Sequence, residues 1–549
     1  MKGNYLKDCT LLLFITVIIY IPFLGLPGWD GNEPVRVIVA REMTKTGNSA
    51  VPILHGKPYF AKPPLMNWLI AASGSLFGII NEWTSRIPSV IVMYMMSISI
   101  YFLTRKWLSR DACIFAAIAT LSMVGLISTG RTAEIDSLFV FLVMFTLLIW
   151  INGYIRRWSP VFIWGIPLLL LGIGFLAKGP QAIAYFYSTV FTYLALRKRL
   201  SFFFSRSHLV GIFLFILILA VYLSFVLRWM TFNEYINMWI GQITQRAETR
   251  HYSFLEHFIS YPFRIILSFM PWVLFVIPVI IFKDLRKKAN EVFKNEILVY
   301  SLVLIAVNFP LYWLLPNARV RYFLPAGPFV AIIMAVLFEF YLNKAKDDPE
   351  INIFLRKFLK FLSLGALVFA LIILPVIIFL NLSLSPSLIL LMVFFIFLAV
   401  LIIYKSNSIK LKDIPIYLSL VTGLIFLIYT DLDIQYDSKK DNYPKKIASE
   451  INLLLPEDID TVYEIGYRRF LGVTCYLKKE VIQLDGFAQL KSMDGKKGKT
   501  CFIFDTKFLN AISDNDRKIF SQEIKWEKIY SRFFEKSRGE IVVGCLSLR

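Results

Sequence analysis

WDGNEPVRVIVAREMTKTGNSAVPILHGKPYFAKPPLMNW, residues Trp29–Trp68, gathers acids, bases, glycines and prolines in a chain that is otherwise mostly hydrocarbon. It directly follows the first apolar segment. Asn32 or Glu33 can cap a helix, and Pro34 suits the first turn, where a missing N–H costs nothing. Val35, Val39 and Met43 then repeat at helical spacing, while Glu33, Arg36 and Ala40 fall on another face. The spacing predicts a helix lying along a membrane or protein surface with its polar groups above it. The plain alternative is a solvated loop helix. Further on, Pro58, Pro63 and Pro64 frame Tyr59-Phe60-Ala61-Lys62, which sets Lys62 on a stiffened, extended segment.

The rest of the chain says where that stretch must lie. Of 549 residues, 57% are hydrophobic and the mean hydropathy is +0.62, too apolar for an ordinary soluble domain. The net charge of +21 would suggest nucleic acid in a soluble protein. Here the lysines and arginines sit in short segments between apolar runs, the pattern of cytoplasmic loops, so no nucleic-acid partner is expected. Leu11–Leu26 reads as a retained signal-anchor, because it lacks a small-residue cleavage site. Leu65–Ile80, interrupted by Gly74 and Gly78, reads as interfacial. Twelve further apolar runs, from Ile87–Leu103 to Ile414–Tyr429, alternate with basic segments such as Arg105-Lys106, Arg156-Arg157 and Arg197-Lys198-Arg199. The expected fold is therefore an α-helical polytopic membrane protein of about 13 spans with a large first external loop. Its N-terminus is expected in the cytoplasm and its C-terminus outside.

Residues 1–430 are expected to form the membrane domain and residues 431–549 a small external α/β domain. In the latter, Asn442–Leu455 reads as an amphipathic helix with Ile447, Ile451 and Leu454 on one side. TVYEIGY, VTCYL, EVIQL, TCFIF and EIVVGCLSL read as short strands. Three of the five cysteines, Cys475, Cys501 and Cys545, fall there and allow one disulfide. Cysteine spacing and four scattered histidines give no metal-ligand pattern, so no metal or other cofactor is expected.

On this topology the informative polar clusters share the external face. Asp30 and Glu33 come from the first loop, and Glu134 and Asp136 from RTAEIDS at the start of a span. An acid there is costly against lipid, which raises the expectation of function; the alternative is a structural ion pair with Arg131. The basic set is Arg36, Lys62, Lys178 in LAKGP, and Arg319 and Arg321 in NARVRYFLPAGP. The aromatic-rich segment from Arg228 to Tyr261 could gate the site or contact acceptor; interfacial anchoring by its tryptophans and tyrosines is the favoured reading.

GNEPVRVIVAREM and VPILHGKPYFAKPPLMNWLIA resemble the first external loop of the polytopic glycosyltransferases that transfer aminoarabinose to lipid A, and of their protein O-mannosyltransferase relatives. LAKGP and RYFLPAGP resemble two later motifs of the same group. The resemblance implies a glycosyltransferase-C fold, a polyprenyl-phosphate sugar donor, a lipid A-like or other cell-envelope acceptor, and a bacterial inner-membrane location with a periplasmic active site. It implies that Glu33 and Asp136, with Glu134 and Asp30 nearby, line the reaction centre. Lys62 and Tyr59 match the second motif, and Arg36, Lys178, Arg319 and Arg321 complete the substrate-binding set. The chain departs from its relatives in three places. Asn32-Glu33 stands where they usually carry Asp-Glu. Their arginine two residues after the glutamate is Val35 here, with Arg36 offset by one. Ala61 replaces the acid of FEKP that could help ligate a metal. A transporter or flippase of lipid-linked sugars is the rival reading, but its charges would lie near the midplane between repeats.

Overall fold

The computed structural model describes residues 5–248, 253–316, 318–347, 349–465, 470–484, 498–505, 526–535 and 539–548. Among the described residues, nine helices are long and apolar enough to cross a membrane, from Glu82–Thr104 to Leu411–Lys439, and two bent helix pairs raise this to as many as eleven. Two further apolar helices, Tyr5–Tyr20 and Gln181–Leu196, have 16 residues each. The first ends six residues before the expected Leu26, because residues 21–27 form turns.

Met123 is extended, at φ −69° and ψ 132°, and separates Arg110–Ser122 from Val124–Gly130 at 62°. The second break, at 92°, lies between Phe254–Ser268 and Trp272–Ile281. The two breaks meet: the Val124 N–H donates to the Met270 carbonyl at 3.2 Å, so a group freed by one break is satisfied by the other. Gly125 permits the approach, since a Cβ there would lie 2.9 Å from Ser268 Cβ.

The first loop does not form a surface helix. In Glu33–Thr46, residues 33–40 and Met43 are all buried, polar face included. Asn32 occupies the N-cap position without a side-chain cap bond, and Gly47, at φ 70°, ends the helix in the left-handed conformation. Leu65–Phe77 forms a 13-residue helix that continues through Gly74 and stops at Gly78. It is too short to cross.

The C-terminal part contains a five-stranded sheet in the order Glu480–Leu484, Thr461–Ile465, Gly498–Asp505, Gly539–Leu548, Trp526–Glu535. The first three are parallel and the last two antiparallel. Pro444–Leu454 packs on the sheet through Ile447, Ala448 and Ile451. Leu454, expected on that side, is exposed. VTCYL is not a strand: Leu471–Thr474 turns as a short helix, with Gly472 close against Pro444, and tertiary packing overrides its β propensity. Trp526–Glu535 is a strand the sequence pattern did not mark. Cys501 and Cys545 face each other in register and form a disulfide.

Candidate active site

Asp136 opens the helix Asp136–Ile155, and Lys178 closes Pro160–Lys178. The acid sits at a helix N-terminus and the base at a C-terminus, so each complements its own helix dipole. The two meet as a buried pair, Lys178 Nζ donating to Asp136 Oδ1 at 2.6 Å. Arg321 stands above them and divides its Nη1 between Glu134 Oε2 at 2.8 Å and Asp136 Oδ2 at 3.5 Å. Lys178 also lies over the rings of Phe139, at 4.7 Å, and Tyr322, at 5.2 Å. Three of the sequence motifs thus converge.

The first loop supplies the facing side. Arg36 is buried, lies 5.7 Å over the Tyr59 ring and is near enough to add to the positive field at Asp136. The offset of one residue from the family pattern therefore does not remove the arginine from the site. Asn32 approaches Glu134 through its backbone N–H, 3.3 Å from Oε1, and its side-chain amide, 3.5 Å from Oε2. Lys62 lies 5.4 Å over the ring of Trp239, which in turn rests on the backbone at Gly179. A Cβ at Gly179 would meet that ring at 2.5 Å, and its φ of 86° already favours glycine.

Glu33 takes a different place from the one expected. It is 1% exposed and fully engaged. Arg86 donates Nε to Oε1 and Nη2 to Oε2, both at 2.8 Å, while the backbone N–H groups of Ala133 and Asp30 donate at 2.7 and 3.0 Å. Arg86 also binds the carbonyls of Leu24, Pro27 and Gly28. Glu33 therefore ties the first loop to the second, one residue before Glu134, and has no lone pair left for a substrate. Asp30 is exposed and contributes its backbone rather than its carboxylate. Arg319 is exposed, outside the cluster. Arg131 does not pair with the acids: it donates to the carbonyls of Ile19 and Pro22. Among the described residues no three His, Cys, Asp or Glu side chains converge as a metal site.

Three residues of this arrangement escaped the motif reading. Arg86 was detectable as an arginine at the very start of an apolar run, where a partner makes it tolerable. Gln181 and Tyr185 both donate to the Tyr322 carbonyl, at 2.9 and 2.7 Å, and so fix the turn that carries Arg321. Nothing local distinguishes them from ordinary helix residues.

An apolar cavity of about 530 Å³ lies beside the site, lined by Ala50, Trp68, Leu176, Leu217, Val221 and Tyr222 among others. Leu176 is two residues from Lys178. The Tyr222 hydroxyl is buried without a hydrogen-bond partner among the described residues.

The crystal structure of ArnT from Cupriavidus metallidurans bound to undecaprenyl phosphate superposes with a TM-score of 0.69 over 98% of both chains, at 15% identity. The chain therefore shares the fold of that structure. Within this fold, residues 61–225 match the family model described as dolichyl-phosphate-mannose-protein mannosyltransferase. The undecaprenyl phosphate-alpha-4-amino-4-deoxy-L-arabinose arabinosyl transferase of Aeromonas hydrophila is 29% identical over 206 residues, 36% of each protein. An uncharacterized protein of Aquifex aeolicus is 25% identical over 338 residues, 60% of this chain and 64% of that one. These alignments span between about a third and two thirds of the relatives' lengths, and the fold marks a multi-pass membrane protein.

Proposed function

We propose that this protein transfers a sugar from a polyprenyl-phosphate donor to a lipid A-like or other cell-envelope acceptor, at the periplasmic face of a bacterial inner membrane. The observation that carries the reading is the set of three cations, Arg36, Lys178 and Arg321, around two carboxylates beside an apolar cavity, with Lys62 over the Trp239 ring that rests on Gly179. A polyprenyl phosphate is an apolar chain ending in an anion, and this site offers a surface for each part. The N-terminus would be cytoplasmic and residues 431–549 would form a periplasmic domain.

The chemistry follows from charge development. As the glycosidic bond breaks, its electrons pass to the phosphate oxygen, and cations fixed in a low-dielectric site stabilise that growing charge more than the ground state. An acceptor hydroxyl attacking the anomeric carbon must give up a proton. Glu134 suits that role better than Asp136: its side chain is 15% exposed against 3%. An acceptor that is already a phosphate needs no base, and the same carboxylates would then orient it. One displacement inverts the anomeric centre. No step requires a metal.

The test is to incubate the purified protein in liposomes with labelled polyprenyl-phosphate sugars and bacterial membrane lipids. A new labelled glycolipid with release of free polyprenyl phosphate is expected. Movement of the intact donor between leaflets, without a new product, would overturn the enzyme reading and favour a flippase.

A further inference from the structure

The first loop and the C-terminal sheet are joined by a buried histidine. Ile53–Leu54 and Lys57–Pro58 pair antiparallel around a two-residue turn, His55-Gly56, with φ of 50° and 77°. Both angles are positive, the signature of a tight hairpin turn that ordinarily selects Asn, Asp or Gly. A histidine there carries backbone strain, so something outside the turn must hold it. His55 is 3% exposed. Its Nδ1 lies 3.2 Å from the Val481 carbonyl and its Nε2 3.0 Å from Thr474 Oγ1, with Glu464 Oε2 at 3.7 Å. One neutral tautomer satisfies the first two contacts together, donating from Nδ1 and accepting at Nε2.

The backbone completes the join. Glu480–Leu484 is an edge strand, and an edge presents unpaired N–H groups. The Gln483 N–H donates to the His55 carbonyl at 2.9 Å, and Gly56 lies against Ile482. Other contacts run parallel to it. Lys45 pairs with Glu480 at 2.7 Å, Arg41 donates to the Cys475 carbonyl, and Trp29 stacks on Tyr476 at 4.7 Å. The Trp29 N–H donates to the Tyr476 hydroxyl, whose pKa burial pushes far above the ordinary phenol range, so it stays neutral. On its other side the hairpin reaches the site directly. The Tyr59 N–H donates to the Pro52 carbonyl at 2.7 Å, Arg36 covers the Tyr59 ring, and Lys62 follows three residues later.

We propose that His55 is a positioning residue: it clamps the first loop to the edge of the C-terminal sheet and thereby holds Tyr59, Arg36 and Lys62 in register with the Asp136 cluster. The C-terminal domain is then part of the active unit, and not a module that acts apart from it. The binding arm of the test rests on the donor reading above; the exchange arm does not.

The test uses the full-length protein in detergent micelles or nanodiscs. His55→Ala removes the clamp, while His55→Asn tolerates the same backbone and keeps one amide donor toward Val481. Amide hydrogen exchange over residues 49–60 should accelerate by about tenfold or more in His55→Ala, with the membrane helices unchanged and His55→Asn between the two. Affinity for undecaprenyl phosphate should fall by about tenfold in His55→Ala and recover in part in His55→Asn. If His55→Ala does not fold, the same two readouts on His55→Asn against the native protein decide. Unchanged exchange at 49–60 overturns the clamp. Faster exchange with unchanged phosphate affinity overturns the positioning role. A native protein that does not bind undecaprenyl phosphate sinks the donor reading instead, and the exchange arm alone then decides the clamp.

Discussion

Glu33→Gln separates an anchor from a catalytic base more sharply than any other single change. The carboxylate accepts four bonds, two on each oxygen: Arg86 Nε and Ala133 N–H on Oε1, Arg86 Nη2 and Asp30 N–H on Oε2. A glutamine of the same shape keeps one oxygen and turns the other into a donor. Whichever way the amide is flipped, its NH₂ faces two N–H donors at hydrogen-bond distance. The guanidinium of Arg86, 2% exposed, also loses its counter-charge. Breaking a buried ion pair from one side costs about 3–5 kcal/mol, chiefly through the charge left uncompensated. Arg86 keeps its three carbonyl partners, which puts the expected loss toward the lower end, about 3 kcal/mol. The assay is thermal unfolding in detergent together with hydrogen exchange across residues 24–46 and 128–136. Both segments should loosen together, since Glu33 links them, and transferase activity should fall with them. A Glu33→Gln protein with native unfolding and exchange but no turnover would refute the anchor and return Glu33 to the role of base.

Lys62→Met keeps the length of the side chain and removes its charge; turnover should fall roughly 10²–10³-fold, with partial recovery in Lys62→Arg, and unchanged transfer kinetics would assign Lys62 to interfacial anchoring. Gly179→Ala forces a Cβ into the Trp239 ring at a backbone angle alanine avoids. It should destabilise the protein by about 1–3 kcal/mol and weaken donor binding, measured by thermal shift with undecaprenyl phosphate. Leu217→Trp should fill part of the apolar cavity. Its affinity for a long-chain polyprenyl phosphate should drop while that for a short, water-soluble prenyl phosphate holds, and equal losses for both would place the chain elsewhere.

Legibility in the sequence tracked the range of the interactions. Spans such as Leu138–Ile151 were readable because twenty helical residues of hydrocarbon are a local signal, and the Asp136–Ile155 helix contains that run. The breaks at Met123 and Ser268 were not, because each depends on a partner from the other segment. Convergence of Asp136, Lys178, Arg321 and Arg36 followed from topology plus resemblance, since loops on one face of a bundle can meet. What each carboxylate does in that cluster was not legible. Glu33 and Asp136 look alike as acids beside apolar runs, and only Arg86, fifty-three positions away, distinguishes the anchored one. The surface helix failed for a similar reason: nothing within Glu33–Thr46 announces that Cys475 and Tyr476 will cover the stretch around it.

The charge arrangement explains how a site so rich in cations is held among buried helix ends. Isolated, Lys178 and Arg321 would each carry a large desolvation cost. Asp136 and Glu134 offset it in the resting protein, with Lys178 on one carboxylate and Arg321 shared between two. Arg321 is the looser partner, with a side chain 26% exposed against 7% for Lys178, and its 3.5 Å contact to Asp136 is the weakest in the cluster. An incoming phosphate would therefore draw Arg321 first, and that exchange would release Glu134 from its cation as the donor arrives. A carboxylate freed at that moment has its oxygen open to accept from an acceptor hydroxyl, whereas in the ion pair that oxygen is taken by the guanidinium. Lys178, locked to Asp136 and the helix ends, would stay as fixed positive charge through the reaction. On this reading the paired resting state does two things: it makes the cations tolerable without substrate, and it keeps the acceptor base inactive until a phosphate is bound.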